Sequence, residues 1–170
     1  MSNSPTNVQG YFKRYTDLVQ EQDLQAAFKA QSAVIDQLLP AISEERSTFS
    51  YAPGKWTIKE LVQHVIDAER IFSYRALCFA RKESSPLPSF DENSYAENSR
   101  ANNRSWQQLA EEFLTVRSST LLLYSSFDDE MMTSAGTAGT NILTPAQLGF
   151  ITIGHFTHHH NILSERYLIR

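Results

Sequence analysis

The sequence contains very little cysteine and no excess of positive charge. Its one cysteine, Cys78, excludes an internal disulfide and a thiolate-rich metal cluster, and favours a reducing cytoplasm as the location. The 15 Lys and Arg residues are outnumbered by 19 Asp and Glu residues. The resulting net charge of -4 does not favour binding to the phosphate backbone of nucleic acid or to an anionic membrane. The sequence also lacks a run of about 18 apolar residues and a basic segment followed by an apolar one. We therefore expect no nucleic-acid partner, no membrane partner and no export.

The chain is nevertheless long and apolar enough to bury a core of its own. Its 170 residues are 41% hydrophobic, which fits one compact domain that needs neither metal nor disulfides as its main support. We predict a single domain over residues 1–170, in which residues 1–9 form a flexible N-terminal extension.

Strong signals for helix starts recur along the sequence. Capping boxes, in which a Ser or Thr is followed three residues later by Glu or Gln, begin at Thr57, Ser105 and Thr144, and Asp23 is a fourth candidate cap. Amphipathic spacing then predicts helices over 23–39, 57–82, 105–126 and 144–168, with a short helix around 11–20 and a weakly paired extended piece over 133–143. The predicted fold is all-α: a four-helix bundle with a short N-terminal helix and long loops.

Four of the five histidines fall between positions 155 and 160. On a helix His155 and His159 lie only about 40° apart, in the middle of the stripe that faces the core. His158 lies at the edge of that stripe, and His160 points away from it and is expected to be solvated. His64 also faces inward from the second long helix, so three imidazoles can meet, which is the ligand number of a catalytic divalent metal site.

The same residues allow a metal-free interpretation, in which buried imidazoles are only hydrogen-bonded. Two other inward-facing charged residues, Glu69 and Arg75, fit an ion pair that holds the helices in register better than they fit catalysis. Asp67, three residues after His64, is expected to be solvated rather than bonded to an imidazole, and Cys78 is expected to be a small core residue.

Three segments together resemble the DinB-like superfamily, the DinB/YfiT-like metalloenzymes. They read "YAPGKWTIKELVQHVIDAERIFSYRALCFAR" over 51–81, "FDENSY" over 90–95 and "GHFTHHHNILSERYL" over 154–168. The resemblance implies a four-helix bundle of the DinB/YfiT type, a homodimer, and a divalent metal ion held by His64, His155 and His159. His158 matches an extra histidine that is not a ligand in the family pattern.

The sequence departs from the family pattern at one position. Many relatives read "GHExHH", whereas Phe156 occupies the acidic position here. This residue therefore cannot carry out the proton transfer that is attributed to the carboxylate in those relatives. The same phenylalanine excludes the H-E-x-x-H pattern of a zincin protease.

The resemblance implies a metal site more firmly than a reaction. Characterised relatives include thiol S-transferases that use low-molecular-weight thiols such as bacillithiol, and mycothiol-dependent maleylpyruvate isomerases. We therefore expect a cytoplasmic, metal-dependent enzyme for a small-molecule substrate, either a thiol S-transferase or a hydrolase, with zinc or nickel as the favoured ion and a low-molecular-weight thiol as a further cofactor. The loop over 82–95 is the expected source of substrate contacts, and no catalytic residue is assigned. The alternative is a non-catalytic dimeric scaffold that the metal stabilises.

Overall fold

Helices form most of the chain that the computed structural model describes, which is residue 8 and residues 10–169. The helices in this part are α1 (Lys13–Thr16), α2 (Leu24–Leu38), α3 (Glu44–Ser47), α4 (Ile58–Ala80), α5 (Glu92–Asn98), α6 (Trp106–Ser125), α7 (Asp129–Thr133) and α8 (Pro145–Arg166). Single 3-10 turns cover Gly10–Phe12, Leu39–Ala41 and Ala101–Asn103. The strands β1 (Gly136–Ala138) and β2 (Asn141–Leu143) form an antiparallel hairpin.

The four long helices α2, α4, α6 and α8 confirm the predicted four-helix bundle. The early helix predicted around 11–20 is shorter, a 3-10 turn followed by α1, and the extended piece predicted over 133–143 is the hairpin. Most of the extension expected over 1–9 lies outside the described residues, and Val8, which is described, is buried.

The local chemistry of the helix starts explains where the long helices begin. Thr57, Ser105 and Thr144 each accept a hydrogen bond from the backbone N–H three residues on, and the Glu or Gln at that position reaches back to the cap. Asp23 caps α2 in the simpler way, through its carboxylate alone.

The core consists of two apolar clusters, one above the other along the bundle. Both α4 and α8 contribute one stretch of residues to each cluster. Along α4 one cluster ends at Ile66 and the other begins at Ala68, and along α8 the change falls between Ile153 and Phe156. The two helices pack side by side along their length. His64 and His155 therefore lie close to the level at which one cluster replaces the other.

The short helix α1 sits directly on α8 because Gly154 has no side chain. A Cβ atom at Gly154 would overlap the carbonyl oxygen of Tyr15, well inside van der Waals distance. This close approach brings the ring of Tyr15 within 5.1 Å of the ring of His155, centroid to centroid. One wall of the histidine region is thus built by α1.

A buried ion pair joins the long helices. Arg117 of α6 donates through Nε and Nη2 to the two carboxylate oxygens of Glu69 on α4, at 2.8 and 2.9 Å, and through Nη1 to Gln31 of α2 at 2.8 Å. Gln31 in turn donates to the carbonyl oxygen of Ile153 on α8 at 2.8 Å. The ion pair expected for Glu69 is therefore present, and its network reaches all four long helices.

The hairpin is attached to the bundle by the loop that follows α4. Leu87 donates its backbone N–H to the carbonyl oxygen of Thr137 at 2.9 Å and accepts from the backbone N–H of Gly139 at 2.8 Å.

No helix in the part of the chain that the structure describes is both long enough and apolar enough to cross a membrane.

Candidate metal centre

Three imidazole rings meet where α4 and α8 pack together. Nε2 of His64 lies 3.0 Å from Nε2 of His155, and the ring centroid of His159 lies 4.9 Å from that of His64 and 4.6 Å from that of His155. One ring nitrogen from each residue lies within 4.8 Å of the other two. The structure therefore brings together the three histidines that the sequence singled out.

Helix geometry explains this convergence. His155 and His159 are one turn apart on α8, so their side chains project from the same face. His64 projects from α4, whose face is packed against α8. All three side chains are buried, at 7%, 4% and 8% exposure for His64, His155 and His159.

Burial keeps these imidazoles neutral. It lowers the pKa of His64 to about 4, although the carboxylate of Glu92 acts in the opposite direction. Burial also lowers the pKa of His155 and His159 well below the ordinary value, and the neighbouring histidines add to the effect. Neutral rings with free lone pairs are the form of histidine that binds metal ions, so the set is ready to bind at neutral pH.

The metal-free protein should lose stability as the pH falls from about 6.5 towards about 4. The unfolded chain binds a proton at His64 near pH 6.5, whereas the folded chain does so only near its pKa of about 4. Between these values the unfolded state holds more protons, so acid favours unfolding, by up to about 3 kcal/mol from His64 alone. Urea unfolding of metal-free protein across this pH range measures the effect.

The matched variant for this measurement is His64→Gln, which keeps a polar side chain but does not titrate. Between pH 4 and 6.5 its unfolding free energy should depend less steeply on pH than that of the wild type. The difference in slope should correspond to the uptake of about one proton on unfolding. Equal slopes for the variant and the wild type would show that the buried His64 does not resist protonation.

A buried ring nitrogen in the cluster has no hydrogen-bond partner among the described residues. Nδ1 of His159 is buried and forms no hydrogen bond with any residue that the structure describes. A buried, unpaired polar atom costs folding free energy, and such atoms are rare in native proteins. Imidazole nitrogens bind divalent metal ions through their lone pairs, and the three buried rings offer ligand-type nitrogens within 4.8 Å of one another, so the donor set fits such an ion.

Within the described chain, the group contains three ligand-type residues and no fourth. Asp67 is half-buried and accepts a hydrogen bond from Gln63 at 2.9 Å rather than from an imidazole. Phe156 packs in the core against Phe113, with ring centroids 5.7 Å apart. Position 156 therefore faces away from the three histidines, and the acidic residue of the family pattern is replaced by a core side chain.

The other two histidines occupy different surroundings. His158 is half-buried, with its ring 5.5 Å from that of Tyr15 and 5.0 Å from that of His159. His160 is also half-buried, rather than solvated as expected, because its ring stacks on Phe156 at 5.7 Å. The expectation that His160 points away from the core-facing pair is correct.

A cavity of about 370 Å³ opens beside the three histidines. This volume is within the usual range for a small-molecule site. Its wall combines aromatic, charged and small residues from the 3-10 turn before α1, from α1, α4, α5, α8 and the hairpin, and from the segments that precede α4 and α5. Beside the three histidines, they are Tyr11, Phe12, Arg14, Tyr15, Trp56, Phe72, Arg75, Ser89, Phe90, Glu92, Ala138, Gly139, Thr140, Asn141 and His158.

Two parts of this wall were not predicted. The first is α1, where Arg14 donates to the hydroxyl of Tyr15 at 2.6 Å and lies 3.8 Å from the ring centroid of Tyr11. The second is the hairpin turn, which contributes Gly139 and Thr140. No metal-ligand spacing or catalytic motif marks either segment. The segment predicted as a loop over 82–95 borders the cavity through Ser89, Phe90 and Glu92, the last of which is the first residue of α5. That this segment contacts the substrate stays a prediction.

Fold and site together define a helical bundle with three converging histidines at the base of a cavity. The chain belongs to the DinB superfamily, whose sequence model matches residues 27–163. This membership confirms the family that the three sequence segments indicated. A search of curated proteins finds no match.

Two solved structures are similar in fold. One is YfiT from Bacillus subtilis, described as "a probable metal-dependent hydrolase with an unusual four-helix bundle topology", with a TM-score of 0.65, 16% identity, and coverage of 94% of this chain and 90% of YfiT. The other is a mycothiol-dependent maleylpyruvate isomerase, with a TM-score of 0.63, 11% identity, and coverage of 92% of this chain and 62% of the isomerase. At these identities the likeness concerns the fold.

Proposed function

We propose that this protein is a metal-dependent enzyme that acts on a small molecule, as a thiol S-transferase or a hydrolase, with His64, His155 and His159 as the metal ligands. The observation that carries the proposal is the buried, neutral three-histidine group, whose ligand-type nitrogens lie within 4.8 Å of one another and which lines a cavity of about 370 Å³. A bound divalent ion would supply a nucleophile at neutral pH, by lowering the pKa of a coordinated thiol or water.

The residues of the chain itself would bind the substrate and limit its contact with water. Phe12, Phe72 and Phe90 provide apolar walls. The hydroxyl of Tyr15 is occupied by Arg14, and burial raises the pKa of this hydroxyl, so Tyr15 stays neutral and packs against the ring of His155. Such a wall excludes water from the reacting group, which strengthens electrostatic interactions inside the cavity.

Two residues of the described wall are suited to move a proton. Burial lowers the pKa of His158, with a contribution from Arg14, so its imidazole is neutral and able to accept a proton at neutral pH. Glu92 places a carboxylate on the same wall. Since Phe156 faces the core, these residues are the candidates for the proton transfer that the family pattern would assign to position 156.

The competing function, a metal-stabilised scaffold, is less well supported. Structural metal sites are usually closed by four protein ligands, whereas sites with three protein ligands and an open position are typical of catalysis. The described residues offer three ligands and an adjoining cavity. The zinc or nickel preference, the low-molecular-weight thiol, the homodimer, the single-domain organisation and the cytoplasmic location stay predictions.

The test is a paired activity assay on protein loaded with zinc or nickel. Conjugation of bacillithiol or cysteine to monochlorobimane tests thiol transfer, and hydrolysis of 4-nitrophenyl acetate tests hydrolysis. Wild type should turn over in one of the two assays, and His64→Ala or chelation should reduce the rate to background.

His160→Ala is the matched control, because this ring stacks on Phe156 outside the cavity. It should retain the wild-type rate. Equal rates in wild type and His64→Ala would refute metal-dependent turnover, and metal binding without turnover in either assay would favour the scaffold.

A further inference from the structure

Arg75 is a buried cation that has no carboxylate partner in the part of the chain that the structure describes. Only 5% of its surface is exposed, and its single side-chain hydrogen bond runs from Nη2 to the carbonyl oxygen of Pro88 at 2.7 Å. Its guanidinium carbon lies 5.9 Å from the ring centroid of Phe90. A guanidinium has several N–H donors, so most of its hydrogen-bonding capacity is not used by the described residues.

The other buried cations of the described chain are paired. Lys59 contacts the carboxylate of Glu44, and Arg117 is held by both carboxylate oxygens of Glu69. Buried charges are costly unless they are paired and hydrogen-bonded. The ion pair expected for Arg75 is therefore absent among the described residues, in contrast to the one found for Glu69, and a bound anion would supply the missing counter-charge.

Arg75 lines the same cavity as the three histidines. It follows His64 by eleven positions on α4, which places the two residues on nearly the same face, about 20° apart, with Arg75 about 16 Å further along the helix axis. Phe72 lies between them and also lines the cavity. Along this face of α4, the cavity therefore has the histidine ligands near one end and the guanidinium of Arg75 near the other.

We propose that Arg75 binds a carboxylate of the substrate, whose apolar body lies against Phe72 and Phe90 and whose reacting group lies near the three histidines. This assignment names the substrate class of the proposed enzyme and so rests on the proposed function. A planar guanidinium binds a carboxylate through two parallel N–H···O bonds.

The charge of the cavity favours a group with one negative charge. The charged side chains of the described wall are Arg14, Arg75 and Glu92, which sum to one positive charge while the histidines are neutral. A phosphate monoester carries nearly two negative charges at neutral pH. A carboxylate matches this single positive charge better than a phosphate does.

The experiment measures binding rather than turnover, and uses protein dialysed free of metal, so that a carboxylate cannot bind through the ion. Phenylacetate, 3-phenylpropionate and 4-phenylbutyrate are titrated calorimetrically beside their primary amides and phenyl phosphate. At least one acid should bind wild type about tenfold or more tightly than its amide, the size of effect expected for hydrogen bonds to a charged group. Phenyl phosphate should bind no more tightly than that acid.

Three variants separate the role of Arg75 from a general effect of charge. Arg75→Gln should abolish the preference for acid over amide, and Arg75→Lys, which keeps the charge without the planar fork, should keep part of it. Arg70→Gln is the matched control, because Arg70 lies on the same helix but contacts Glu112 at the surface. It should bind like wild type, and circular dichroism verifies that each variant is folded.

The proposal is overturned if wild type binds acids and amides equally, if it binds none of the probes, if phenyl phosphate binds most tightly, or if Arg75→Gln keeps the acid preference. These outcomes do not depend on metal. A protein that prefers the acids but binds no metal would refute the proposed function alone, and one that binds metal without the preference would refute the carboxylate subsite alone.

Discussion

Replacing His159 with alanine is expected to abolish stoichiometric binding of zinc or nickel. The ring belongs to a buried group of three histidines whose ligand-type nitrogens lie within 4.8 Å of one another. Changes to groups that merely orient metal ligands weaken binding by about 10–100-fold, so loss of a ligand itself should exceed a hundredfold. Competition titration of untagged protein with a chromophoric chelator measures the affinity, and elemental analysis gives the stoichiometry.

His160→Ala is again the informative control. It removes an imidazole from the next position on α8, but this ring stacks on Phe156 and does not line the cavity. It should bind one ion per chain with wild-type affinity. At a free metal concentration of a hundred times Kd, wild type and this control should gain about 2.7 kcal/mol of unfolding free energy, and His159→Ala almost none. Tight, stoichiometric binding by His159→Ala would remove this residue from the ligand set.

Arg117→Ala is expected to destabilise the fold by about 3–5 kcal/mol, the usual cost of removing one partner from a buried ion pair. Arg117 and Glu69 are only 3% and 2% exposed, so the change leaves an uncompensated carboxylate inside the bundle. It also removes the hydrogen bond from Arg117 to Gln31. Urea denaturation at neutral pH measures the loss as a lower midpoint.

The surface pair of Arg70 and Glu112 provides the comparison. Arg70 is 50% exposed, and exposed ion pairs contribute about 0–1 kcal/mol, so Arg70→Ala should change the midpoint little. A double variant, Glu69→Leu with Arg117→Met, removes both charges and should recover much of the stability lost by Arg117→Ala. Similar losses for Arg117→Ala and Arg70→Ala would show that the buried network contributes little.

The long helices could be predicted from the sequence because their signals are local. Capping boxes at Thr57, Ser105 and Thr144 involve residues three positions apart, and the observed helices begin at the next residue in each case. The inward direction of His155 and His159 follows from helix periodicity alone. The same reasoning placed Glu69 and Arg75 on the inner side of α4.

The partners of inward-facing residues could not be predicted, because they depend on how the helices pack. Glu69 and Arg75 look equivalent in the sequence, yet the first meets Arg117 and the second faces the cavity. Periodicity gives the direction of a side chain but not the residue it meets on another helix. For this reason, the ion pair expected for Arg75 is not found among the residues that the structure describes.

The short elements were hard to predict for a different reason. A helix as short as α3 or α5 has too few residues to show periodicity, and tertiary contacts hold it in place. Glu44 of α3, for example, accepts from the backbone N–H of Trp106 at 2.6 Å and contacts Lys59. The same limit applies to the cavity wall: the sequence indicated a short early helix and an extended piece before α8, but not that α1 and the hairpin turn lie beside the histidines.

The part of the cavity wall formed by α1 depends on Gly154. Tyr15 can lie over His155 because the backbones of α1 and α8 touch at a residue without a side chain. Alanine scanning reveals important positions by deleting atoms, and here alanine would add one. The packing of Tyr15 against His155 is therefore disturbed by enlarging a residue rather than by truncating one. A mutational survey that only shortens side chains would not detect the importance of Gly154.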